Sequence, residues 1–94
     1  MLDLATIKPG TVIVSNSLYG MSLRQVVSYG ESQFGDFLEV VDPKGQFSKV
    51  SSVREPEMPG IGWKLPTPDE ATRISDCWHA EATDTTTELI PNSD

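Results

Sequence analysis

The pattern of apolar and polar positions changes character near Pro66. Before it, short β-branched runs alternate with turn signals; after it, apolar residues recur at helical spacing. Lys8-Pro9-Gly10 is a turn signal that launches a first strand over 11–15. Residues 23–29 alternate as a second strand, with Leu23, Gln25, Val27 and Tyr29 on one face and Arg24, Val26 and Ser28 on the other. Residues 30–35 read as a polar loop holding Phe34, and 37–41 as a third strand. Asp42-Pro43-Lys44-Gly45 suits a type I turn, with Asp, Pro and Gly at their preferred positions, and predicts a hairpin onto a fourth strand over 46–53. Two prolines and a glycine make 54–60 an irregular linker. Ile61, Trp63 and Leu65 then alternate as a short fifth strand at a sheet edge, which Pro66 ends.

Thr67-Pro68-Asp69-Glu70 is a helix start: Thr67 caps, Pro68 fits the first helical position, and Glu70 completes a capping box. The spacing predicts a helix over 67–82. Ala71, Ile74, Trp78 and Ala82 lie on one stripe with Cys77 beside it, and Asp69, Arg73, Asp76 and Glu81 take the wetter side. A helix of this length needs a surface to pack on, and Ile74 and Trp78 are its anchors. From Thr83 the composition favours no packed structure, so 83–94 is expected to be a flexible acidic tail with a short apolar hook at Leu89-Ile90-Pro91.

Ile7-Lys8-Pro9-Gly10-Thr11-Val12-Ile13 is similar to the opening of many SH3-like small barrels, and so is Asp36-Phe37-Leu38-Glu39-Val40-Val41 followed by a tight turn. The resemblance spans about residues 7–65. It implies a mainly β fold: an SH3-like barrel of about five short antiparallel strands over 1–66, followed by the helix and the tail. The ligand-binding aromatics of eukaryotic SH3 domains have no counterparts here, so recognition of proline-rich peptides is not implied.

With 94 residues, the chain makes one domain with a small core. Its net charge of −7 is unevenly spread: 1–66 sum to −1, whereas 67–94 carry seven acids against Arg73 alone and sum to −6. Such a field repels nucleic-acid phosphates and suits a basic partner, or serves solubility. A single cysteine, Cys77, rules out an intramolecular disulfide framework. No apolar run approaches the roughly 18 residues of a membrane span, and Met1-Leu2-Asp3-Leu4 lacks the character of a secretory signal. A cytoplasmic location is expected.

Candidate chemistry is sparse. Cys77 and His79 are two apart on the helix and point roughly 200° from one another, so they cannot share a metal ion. Asp76 and His79 can touch, but one carboxylate and one imidazole fall short of a metal site. No serine sits in a nucleophile-elbow pattern, and Gly30–Gly35 lacks the lysine and the following helix of a phosphate loop. Lys44, Lys49 and Arg54, with Tyr29, Phe34 and Phe47 nearby, outline a basic and aromatic patch of the kind that binds single strands, against which the overall charge weighs. Trp63 and Trp78 are expected to pack together, joining helix to barrel. The chain is expected to be neither an enzyme nor a metal or cofactor protein.

The leading expectation is therefore a protein-binding module, an adaptor, regulator or assembly subunit. It would engage its partner through Ile74 and Trp78 and the carboxylates of Asp69, Glu70, Asp76, Glu81, Asp84 and Glu88. The alternative is a small acidic inhibitor of viral or mobile-element origin, whose carboxylates stand in for phosphates on a host enzyme. Edge strands of so small a barrel also allow pairing between two copies.

Overall fold

The computed structural model describes residues 2–17, 20–58 and 60–93, with side chains as far as Ala82. The side chains of Asp84, of Glu88 and of the apolar hook at 89–91 lie outside the described residues. The fold is mainly β. A 3₁₀ turn (Leu4–Thr6) precedes strands β1 (Val12–Ser17), β2 (Gly20–Ser32), β3 (Gly35–Val41) and β4 (Phe47–Val50), and helix α1 (Pro68–Ser93) follows. The strands form an open antiparallel sheet of four in the order β1-β2-β3-β4.

Local chemistry explains the turns. Asp42 Oδ1 accepts from the amides of Lys44 (3.0 Å) and Gln46 (2.8 Å), and the Gly45 amide donates to the Asp42 carbonyl, so the β3–β4 turn forms where the sequence predicts it. The polar loop expected over 30–35 is instead a tight hairpin: Ser32 pairs with Gly35, and Phe34 stands at the tip, 91% exposed.

Adjacent strand residues point to opposite faces. Ile13, Val26, Leu38 and Val40 share one face and form the core with Leu4, Ile7, Val50 and Val53, against which Leu2, Trp63 and Leu65 pack. The face expected to unite Leu23 with Tyr29 is split by a β-bulge between Val26 and Ser28. Before it, Leu23 pairs with Val14 on the side away from the core; after it, Tyr29 pairs with Leu38 on the core side. Val14 and Leu23 are fully buried on that second side, where Asn16 bonds Glu70 of α1 and the helix packs against β2.

The fifth strand does not form. Gly60 and Gly62 have φ of +128° and +113°, outside the β region, and Ile61 between them is 99% exposed. Only Lys64 pairs, in isolated bridges to Val14 and Arg54. The helix is longer than expected, its backbone continuing through 83–93 where the composition predicts a flexible tail. Among the described residues, no helix is long and apolar enough to cross a membrane.

Candidate functional site

The start of α1 decides what the helix can present. Thr67 and Glu70 form the predicted capping box: the Glu70 amide donates to Thr67 Oγ1 (3.2 Å), and the Thr67 amide donates to Glu70 Oε1 (2.9 Å). The same carboxylate reaches much farther. Lys64 Nζ donates to Oε1 at 2.5 Å and Asn16 Nδ2 to Oε2 at 2.6 Å, while Lys64 Nζ also reaches the Pro56 carbonyl. Lys64 and Glu70 are both buried. Burial pushes the Glu70 carboxyl upward, but hydrogen bonds from Lys64, the Thr67 amide and Asn16, together with the Lys64 charge, outweigh it and hold the pKa at about 2. Glu70 is thus committed to the domain's own ion pair. It clasps helix to sheet, and this takes it out of the set of carboxylates open to a partner.

The clasp sets the roll of the helix. Ile74, Cys77, Trp78 and Glu81 lie within about half a turn of Glu70 at 3.6 residues per turn, and all four are half-buried. Ile74 and Trp78 therefore share the inward side. Asp69, Thr72, Arg73, Asp76, His79 and Ala80 are exposed. Glu81 lines a polar cleft of about 360 Å³ with Ser22, Arg24, Asp42, Lys44 and Gln46, between the helix and the β3–β4 turn. Of the predicted carboxylates with described side chains, Asp69 and Asp76 face solvent, Glu81 borders a cleft, and Glu70 is buried.

The two tryptophans have different surroundings. Trp63 packs on the core, and the Arg24 guanidinium lies 5.0 Å from its ring centre. Trp78 stands outside that core cluster.

The basic patch outlined by Lys44, Lys49 and Arg54 does not assemble as a free surface. Arg54 braces its own loop, donating from Nη1 to the Met58 carbonyl (2.6 Å) and from Nη2 to those of Gly60 (2.8 Å) and Gly62 (3.2 Å). Lys49 lies 4.6 Å over the Phe37 ring. That ring also lies across Gly30, its cross-strand partner, where a Cβ would collide with it. Ser32, Phe34, Asp36, Phe37, Lys49 and Ser51 line a groove of about 460 Å³ beside the hairpin tip. The Asp36 carboxylate, hydrogen-bonding to the Tyr29 hydroxyl, together with some burial and nearby acidic groups, raises the phenol to about 12. Asp36 thus partly offsets Lys49 in this groove.

Among the described residues, Ile61 and Phe34 are the most exposed large apolar side chains, and periodicity could not find either. Ile61 alternates with Trp63 and Leu65 like a buried strand residue; the flanking glycines were the signal against that reading. Among the described residues, no group of three His, Cys, Asp or Glu side chains is placed to hold a metal ion. No protein-family model, curated protein or solved structure matches the chain.

Proposed function

We propose that this chain is a non-enzymatic protein-binding module that engages a basic partner surface through the outward stripe of α1. One observation carries the reading: the region holding most of the net charge is a helix whose buried clasp leaves Asp69 and Asp76 in solvent. A clasped helix offers those carboxylates in one orientation, which lowers the ordering cost of binding. The bridges from Lys64 to Val14 and Arg54 support reading the sheet as an SH3-like barrel closed by a minimal seam. The lone Cys77 suits the reducing cytoplasm.

The continuous helical backbone of α1 favours a second reading. Twenty-six residues span about 39 Å at 1.5 Å per residue, a scaffold on which carboxylates could imitate a run of phosphates. In this reading the partner is a nucleic-acid-binding enzyme.

Cutting the chain after 66 is a poor test, because it removes Glu70 and strands Lys64. The better test is Asp69→Lys/Asp76→Lys in the full chain, used beside the wild type to capture partners from nuclease-treated lysate. The binding-module reading expects a protein held by the wild type, lost with the double variant and released as salt shortens the roughly 10 Å screening length at 0.1 M. Equal capture by both chains overturns it. Competition by DNA or RNA for the captured protein selects the mimic.

A further inference from the structure

We infer that the Arg54-braced loop is a self-association knob: Ile61 of one copy seats in the apolar cleft beside Leu65 of a second copy. Ile61 is 99% exposed at the crest of a loop that is anything but slack. Gly60 and Gly62 on either side of it hold positive φ values that L side chains rarely adopt. One guanidinium, Arg54, gathers the carbonyls of Met58, Gly60 and Gly62. A loop so braced loses little freedom when its crest is buried, the condition under which a single aliphatic side chain contributes most to binding. Met58, on the same loop, is 42% exposed.

The same chain carries a matching receptor. Leu2, Thr6, Ile7, Thr11 and Leu65 line a mainly apolar cleft of about 290 Å³, with Lys8 exposed on its wall. Glu55 and Glu57, on the knob's loop, are both exposed, so an acidic knob faces a basic-walled cleft. Asp3, the acid nearest the cleft in sequence, is turned toward the Ala5 amide as the cap of the 3₁₀ turn. Ile61 and Leu65 are four residues apart, at most about 14 Å along the chain. Knob and cleft therefore lie close to one another on the surface. A two-fold axis there lets each copy supply its Ile61 to the other, and such a contact closes as a dimer. This is a different surface from the outward stripe of α1.

Sedimentation equilibrium of the full chain over a concentration series tests it. The expected result is a weight-average mass that climbs from monomer toward dimer. Ile61→Asp should hold the chain at monomer mass with unchanged circular dichroism, since that side chain makes no fold contact to lose. Lys8→Glu and Glu57→Lys should each weaken the dimer, and the two together should recover it. The inference is overturned by a wild type that stays monomeric throughout, by Ile61→Asp associating as the wild type does, or by a charge swap that recovers nothing.

Discussion

The two faces of the sheet are held by different physics. On one, Ile13, Val26, Leu38 and Val40 meet aliphatic neighbours from the 3₁₀ turn, β4 and the segment after it. That face is non-directional: it needs volume filled, and many arrangements of similar shape satisfy it. On the other, Val14 and Leu23 are the only fully buried side chains among the described residues, and the element above is tied down by Glu70, Lys64 and Asn16. A buried ion pair adds little net stability once desolvation is counted, but breaking it is costly. The apolar face supplies the stability of the domain, and the polar face decides where the helix sits. What α1 presents to solvent depends on the weaker, more specific attachment.

Each face can be weakened by itself. The largest effect belongs to the core: Leu38→Ala should cost about 3–4 kcal/mol and lower the denaturant midpoint of sheet and helix together. Lys64→Ala leaves Glu70 buried without its cation and should cost about 3 kcal/mol. Here the loss should fall on α1 first, read as faster amide exchange along the helix while β2 and β3 stay protected. Equal exchange in both regions would show that the clasp supports the whole fold. Lys64→Met/Glu70→Leu, which removes both charges, should recover most of that loss.

Acid probes the same attachment without mutation. The Glu70 carboxyl titrates near 2 in the folded chain instead of near 4.5. Its folded-state pKa is depressed, so its contribution is fully present above about 4.5 and is lost as pH falls toward 2. Trp78 fluorescence should report helix undocking in that window, and the charge-free double variant should show no such transition.

Gly30→Ala should cost about 2 kcal/mol by driving Phe37 off the strand beneath it. A thermal melt reads the loss, and an upfield-shifted Lys49 side-chain resonance returning to its ordinary position would mark the ring's departure. Thr67→Ala removes half the capping box and should cost about 1 kcal/mol, visible in helix exchange and absent from the core.

Much of the local structure was legible. Thr67, Pro68 and Glu70 announced the helix start because capping is settled within four residues, and Asp42 and Gly45 announced their turn for the same reason. Residues 37–41 read as a strand and form one, and the structure sets Leu38 and Val40 on the core face. The misreadings have physical causes. The bulge after Val26 reverses the faces of β2, and nothing in Val26-Val27-Ser28 signals an extra residue. Ile61 kept strand periodicity while its glycine neighbours left the β region. Composition placed the helix end at 82, but the backbone runs on.

The candidate site was legible in kind and not in detail. Charge segregation onto 67–94 is a property of the sequence, and so is the amphipathic spacing that sets Ile74 and Trp78 apart from Asp69 and Asp76. Which carboxylates remain free is not. Glu70 left the set because its partners, Asn16 and Lys64, come from strand β1 and from the single bridge that places Lys64 beside Val14. Arg54 left the basic patch because three carbonyls of its own loop surround it. The sequence by itself determined the elements, their caps and turns, and the distribution of charge, since these depend on neighbours a few residues apart. Only the tertiary structure decided which charges are used internally and which apolar side chains are left in water, because those outcomes depend on contacts between residues far apart in the chain.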